Sequence, residues 1–253
     1  MEFARYWNDE SVERGKPWWI EDVGDSRILD YLQKVTNLQA CFEDGLTYAE
    51  LHFHGVRGVV LDLGAGVCWT TALVSRQPRV TKVLALDYSV HRMTKIGPLV
   101  CEQLGAVQEK IERRCIAMSP LPFADESADL AILCQALYMS RRPVEVLREV
   151  HRVLRPGGLV MVACEGIEAS QSWPQAWRRR GMAFLRHPLQ CWGHWSKAGL
   201  PDASGRYPYR DRDYEGFVVR AGFRFARQTL DYPVFKESAV VAANYFGVKE
   251  HRT

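Results

Sequence analysis

The feature that most constrains this chain is the alternation, across residues 58–165, of short apolar runs with longer amphipathic ones. GVVLDL, KVLALD, IERRCIA, ADLAILC and GLVMVACE have strand length, and residues 70–75, 89–104 and 144–154 between them carry helical spacing. Strands apolar on both sides of the pleat belong in a sheet covered on both faces, and strands that alternate with helices run mostly parallel. An α/β fold follows. Arg152 and Arg155 suit a helix C-terminus, and Pro156-Gly157-Gly158 cannot continue the helix. Gly97-Pro98 predicts a kink or split within 89–104.

The flanks break this pattern. Residues 1–57 hold Tyr6, Trp7, Trp18, Trp19, Tyr31, Phe42, Tyr48 and Phe53 at weak periodicity, which fits an aromatic helical cap or lid. Residues 166–215 are rich in Trp, Arg, Pro and Gly and hold no regular period, so they read as an irregular insertion suited to substrate recognition. Residues 216–253 supply a closing helix, GFVVRAGF, and two further strands in FRFARQTLDY and ESAVVAANYF, an antiparallel edge to the sheet.

Composition narrows the function classes. With 47% apolar, 25% charged and 11% aromatic residues in 253, usage is that of a soluble globular protein. No apolar run approaches the ~18–20 residues of a membrane helix. The N-terminus lacks the basic start and apolar run of a secretory signal, so a cytoplasmic protein with no membrane partner is expected. The 7 cysteines are an odd number without a CxxC pair, which predicts reduced thiols and no metal centre. A net charge of +3 is too small to mark a polyanion-binding protein.

The stretch VVLDLGAGVC, residues 59–68, carries the chemistry. An apolar strand runs into Asp62, Gly64 and Gly66 permit a tight turn with close backbone approach, and a helix starts near Cys68. That arrangement sets a polar or anionic ligand group at a helix N-terminus, although such a turn can also be only a turn. The second strand ends in Asp87, where a carboxylate can accept both hydroxyl hydrogens of a ribose, and Tyr88 follows with a ring for a purine. A nicotinamide site would want a third glycine where Trp69 stands.

With LALDYS, SPLPFADESADLAILCQALYM and LREVHRVLRPGGLVMVACE in that order, the chain resembles the class I S-adenosylmethionine-dependent methyltransferases, in the small-molecule, UbiE-like (methyltransferase type 11) branch. The resemblance covers residues 59–165. It implies a Rossmann-like, doubly wound, mostly parallel seven-stranded sheet with an antiparallel edge strand, a helical N-terminal cap and an insertion before the last two strands. It also implies S-adenosyl-L-methionine as cofactor, with S-adenosyl-L-homocysteine as product. Asp62, Gly64, Ala65 and Gly66 would line the amino-acid end of the cofactor, and Asp87 with Tyr88 the ribose and adenine. Met118, Ser119 and their neighbours to Leu121 would pass the adenine edge, and Cys134 with Gln135 would face the sulfonium and the acceptor. Two positions depart from the family: Cys68 stands for its third glycine, and Ala117 for an acid that binds the adenine amino group.

Methyl transfer asks mainly for positioning and exclusion of water, with a base where the acceptor is protonated. Candidate bases or acceptor-orienting groups are Tyr138, Glu165 and His194; each could equally be a packed residue with one satisfied hydrogen bond. Tyr6, Trp7, Trp18 and Trp19 could hold a flat, apolar or cationic acceptor or simply pack a cap. The Arg178, Arg179, Arg180 run could read a phosphate or carboxylate, or be a solvated helix face. The expected partner is a small molecule acceptor at oxygen, nitrogen or carbon, in specialised metabolism. Two other functions remain: a non-catalytic binding or regulatory module, and an enzyme that uses the bound cofactor for rearrangement or cyclisation. CQALYM lacks the motif that grips a flipped base, so nucleic acid is not expected. An exposed aromatic cap could pair two subunits as a homodimer.

Overall fold

The structure, a computed structural model, describes residues 8–165, 207, 209, 211–236 and 241–251. Seven strands, β1 (Gly58–Leu63), β2 (Val80–Asp87), β3 (Ile111–Cys115), β4 (Ala128–Cys134), β5 (Leu154–Glu165), β6 (Arg224–Thr229) and β7 (Ala243–Val248), form one sheet. Their order is β3-β2-β1-β4-β5-β7-β6. The first five pair in parallel, and β7 runs antiparallel to both β5 and β6. From β1 the connections wind outward in both directions, so the strand order reverses between β1 and β4. In a sheet of this kind the crevice for a ligand opens there, beyond the C-terminal strand ends.

The described helices are α1 (Glu10–Arg14), α2 (Arg27–Leu29) with a π-helical continuation over Asp30–Val35, α3 (Leu38–Phe53), α4 (Trp69–Ser75), α5 (Gly97–Gln103), α6 (Pro143–Val153) and α7 (Asp211–Arg220). The apolar strands are covered on both faces, as their composition requires. Val60, Val83 and Ile132 pack under α3, α4 and α5, whereas Leu61, Leu84 and Leu133 pack under α6 and α7. On α6 the buried Val146, Leu147, Val150 and Val153 form one face at helical spacing. None of the helices among the described residues is long and apolar enough to cross a membrane.

Local chemistry sets the breaks. Pro98 has no N–H, and the stretch splits there: a π-helical turn, Arg92–Ile96, hands over to α5, with Gly97 N–H bonding Arg92 O. Strand β5 begins at Leu154 directly after α6, earlier than the expected GLVMVACE, so Pro156-Gly157-Gly158 lies inside the strand at an irregularity in its register with β4, where Gly157 takes φ +76°. The closing helix α7 starts at Asp211, inside the stretch expected to be irregular, with Asp211 and Asp213 in its first turn. The cap residues are tied to the far end of the chain: Asn37 N–H donates to Val234 O at 2.7 Å, and Thr36 bridges Phe235.

Candidate active site

Strand β1 delivers Asp62 to a dry position, 1% exposed. The hydroxyls of Thr70 and Thr71, at the start of α4, donate to its Oδ2 at 2.7 and 2.6 Å. Its Oδ1 is buried with no partner. Burial pushes the Asp62 pKa up to about 6, against the lowering effect of Thr71 and Thr70; the charge of Asp87 adds to the rise.

Between Asp62 and α4 the chain turns tightly. Gly64 and Ala65 N–H both donate to Leu86 O, at 2.8 and 3.0 Å. Gly64 has φ +69°, and a Cβ there would stand 2.7 Å from that of Ala136, so only glycine serves. Cys68 adopts the left-handed conformation at φ 64°, ψ 21°, which costs a side-chain-bearing residue ~1 kcal/mol or more. Its buried thiol, hydrogen-bonded with Cys101, has a pKa raised by that contact and by burial.

Asp87, at the end of β2, closes the other side of the turn. Its Oδ2 accepts from Gly66 N–H at 2.9 Å and its Oδ1 from Ser89 N–H at 2.8 Å. Each oxygen retains further lone-pair capacity. The half-buried Tyr88 has its phenol pKa pushed well above the ordinary value by desolvation.

The Gly-rich turn, Thr70, Asp87 and Tyr88 border a cavity of about 270 Å³. One end holds the Gly64–Val67 turn, Asp87, Tyr88, Ile116 and Met118. The floor is Cys134, Gln135, Ala136, Tyr138 and Met139, and the walls are Trp18, Tyr31, Leu38, Trp69 and Phe235 with their apolar neighbours. Gln135, at φ +55°, donates through Nε2 to Cys164 O and accepts from Tyr138 Oη at 3.3 Å through Oε1. Its amide orientation is fixed from both ends. Arg92 also lines the cavity. Burial is the largest single effect and opposes its charge, but the hydrogen bonds it donates to Glu13 and the nearby Asp87 and Glu13 carboxylates together outweigh burial, and its pKa rises above the ordinary value.

Of the residues expected at the site, Gly64, Ala65, Gly66, Asp87, Tyr88, Met118, Cys134, Gln135, Tyr138 and Trp18 line this cavity. Asp62 lies behind Thr70, and Ser119 is not among the lining residues. Trp19 packs in the core at 5% exposure. Ala117 is exposed, so Asp87 is the one carboxylate among the described lining residues. Tyr6, Trp7, His194, Arg178, Arg179, Arg180 and the side chain of Glu165 lie outside the described residues. The residues missed were Thr70, Thr71, Tyr31, Arg92 and Phe235. Two hydroxyls directly after the Gly-rich turn are a readable signal for a buried acid on the preceding strand. Arg92 has no such signal.

Residues 61–162 match the family described as "Methyltransferase domain". The matched stretch, about two fifths of the chain, runs from β1 into β5 and carries the Gly-rich turn, so the core of this chain is similar to class I methyltransferase domains. Its cofactor is S-adenosylmethionine. Over 198 residues the chain is 27% identical to a demethylmenaquinone methyltransferase of Listeria monocytogenes, covering 76% of this chain and 78% of that one. Over 150 residues it is 30% identical to the biotin biosynthesis bifunctional protein BioHC of Teredinibacter turnerae. That match takes in 57% of this chain and about a quarter, 26%, of the longer protein. A solved SAM dependent methyltransferase from Aquifex aeolicus shares the fold at TM-score 0.55 and 14% identity, over 90% of this chain and 98% of that one. Among the described residues no three His, Cys, Asp or Glu side chains converge as metal ligands.

Proposed function

We propose that this chain transfers the methyl group of S-adenosylmethionine to an oxygen, nitrogen or carbon atom of a small-molecule acceptor in specialised metabolism. The observation that carries the reading is Asp87. Its carboxylate is held rigid by Gly66 and Ser89 N–H at the mouth of the Gly-rich turn, on a cavity that continues into an aromatic chamber.

The residues present fit the cofactor. Asp62 Oδ1, a buried acceptor without a partner, supports a place for the ammonium group of the methionine end. The Gly64–Gly66 turn leaves the space a Cβ would fill, and Asp87 offers acceptors to the ribose hydroxyls. Tyr88, Ile116 and Met118 offer flat and apolar surface to the adenine. The bound cofactor supplies an electrophilic methyl carbon on a sulfonium.

The protein's own part is positioning. Trp18, Tyr31, Leu38 and Phe235 exclude water and suit a flat, apolar acceptor. Gln135, clamped by Cys164 O and Tyr138, offers hydrogen bonds at the floor, and Tyr138, which also lines the cavity, is the candidate to orient the acceptor or take its proton. Glu165 and His194 remain candidates for the same role on sequence grounds.

Calorimetric titration with S-adenosylmethionine and S-adenosylhomocysteine, repeated for Asp87→Ala, tests the site. The expected result is micromolar binding, ~8 kcal/mol, weakened at least about tenfold in the variant. Transfer of isotope-labelled methyl to a panel of phenols, quinols and amines then tests the reaction. Folded wild-type protein that binds neither ligand overturns the proposal.

A further inference from the structure

Glu13, on α1, is fully buried although it carries a carboxylate. It accepts from Arg92 Nε at 3.0 Å and Arg92 Nη2 at 2.8 Å, and from Trp18 Nε1 at 3.1 Å. The Arg92 guanidinium also stands 5.5 Å over the Trp18 ring. Neighbouring contacts dock the same segment: Val90 N–H donates to Asn8 Oδ1 at 2.9 Å, and Lys95 Nζ donates to Glu10 Oε2 at 2.9 Å. All of them land on residues 88–95, the stretch that directly follows Asp87.

A buried ion pair is a poor way to glue a helix down, because desolvating both charges offsets their attraction and an apolar pair would serve as well. What a two-point carboxylate contact does provide is orientation of a planar guanidinium. Here the orientation has a target. The Nη1 of Arg92 stands 3.8 Å from where a Cβ on Gly66 would lie, and Gly66 N–H is the group bound to Asp87 Oδ2. Donor and acceptor therefore meet over one glycine.

A vicinal diol presents two O–H donors and two oxygen acceptors. Ionised Asp87 can satisfy only the donors; a guanidinium satisfies only the acceptors. On the reading that Asp87 holds the cofactor's ribose, we propose that Arg92 is a cofactor-binding residue that donates to the ribose hydroxyl oxygens, and that Glu13 is the positioning residue that aims it. The α1 segment is then part of the cofactor site, and its docking and ligand occupancy are linked equilibria.

The test is equilibrium binding of S-adenosylhomocysteine and of its analogues lacking the 2′- or the 3′-hydroxyl, to wild type, Arg92→Met, Arg92→Lys and Glu13→Gln. Arg92→Lys keeps a charge opposite Glu13 and carries the test if Arg92→Met does not fold. Wild type should lose affinity with each missing hydroxyl. Arg92→Met should bind the full ligand about tenfold more weakly or worse, the worth of a hydrogen bond to a charged group, and should lose less affinity than wild type on removal of at least one of the two hydroxyls, the share that remains being the contact to Asp87; Arg92→Lys should fall between. Glu13→Gln should fall between, and ligand should no longer protect its N-terminal segment from protease.

If the variants weaken the full ligand and both deoxy analogues by one common factor, or not at all, Arg92 only supports the fold and the assignment is overturned. Wild type that binds none of the three overturns it together with the cofactor site. Wild type that binds but transfers no methyl group overturns the proposed reaction alone, since the binding comparison decides the role of Arg92 without it.

Discussion

Asp62 shows how much a single residue can store for a ligand. Its Oδ2 has two hydroxyl donors, its Oδ1 none, and burial raises its pKa to about 6 from an ordinary 3.8. That gap is worth on the order of 3 kcal/mol between the protonation states. Because the folded state holds the proton more tightly than the unfolded chain, stability is greatest at low pH and is lost as pH rises through about 6. Without ligand, this group alone should make the protein about 2 kcal/mol less stable at pH 7.0 than at pH 4.5. Asp62→Asn removes the titration, so that share of the pH dependence should vanish in urea unfolding followed at both values. Equal pH dependence in variant and wild type would sink the account. The same Asn substitution should weaken binding of S-adenosylhomocysteine, because its amide no longer offers a charge to an ammonium group.

At the scale of an element, the β1–turn–α4 unit asks its residues for conformations that only some can adopt cheaply. Cys68 sits in the left-handed region and is buried. Cys68→Gly and Cys68→Ala both delete the thiol, so their difference isolates the backbone. Glycine should be the more stable by about 1 kcal/mol, since alanine retains the left-handed penalty. Thermal unfolding of the two side by side decides it, and a more stable alanine variant refutes the strain. This unit was legible in the sequence because its contacts are local to one βαβ crossover: the Gly66 to Asp87 spacing is closed by a single hydrogen bond, and the helical spacing over 144–154 ends one residue past the end of α6 at Val153. The break at Gly97-Pro98 was legible for the same reason. What the sequence withheld was tertiary. Glu13 and Arg92 are 79 positions apart, neither belongs to a motif, and no periodicity links them. The start of α7 at Asp211 was hidden because Arg, Asp and Tyr around it carry no apolar stripe until Tyr214 and Phe217 are seen buried.

Over the whole molecule, one buried amide stitches the late strands to the cap and, through it, to the site. Asn244 on β7 is fully buried, and its amide is hydrogen-bonded to three elements. Its Oδ1 accepts from Cys164 N–H on β5 at 3.0 Å, and its Nδ2 donates to Cys41 O on α3 at 3.0 Å and to Gln228 Oε1 on β6 at 2.9 Å. The carbonyl of the same Cys164 receives Gln135 Nε2 at the cavity floor. A residue on the antiparallel edge thus holds the backbone from which a site amide hangs, and the cap helix is fastened at the same point. Asn244→Ala leaves Cys164 N–H and Cys41 C=O buried without these partners, a loss of about 2–4 kcal/mol. In a chain of this size that should lower the midpoint of thermal unfolding by about 5–10 °C. Gln228→Ala removes one partner of this amide, on the half-buried edge strand, together with the hydrogen bond from Gln228 Nε2 to Asp44 O on α3, and should cost about 1 kcal/mol. If the network transmits to the site, folded Asn244→Ala should also bind S-adenosylhomocysteine more weakly than Gln228→Ala does. If instead the two variants match in stability and in affinity, Asn244 only fills space, and the cavity floor takes its shape from β4 and β5 alone.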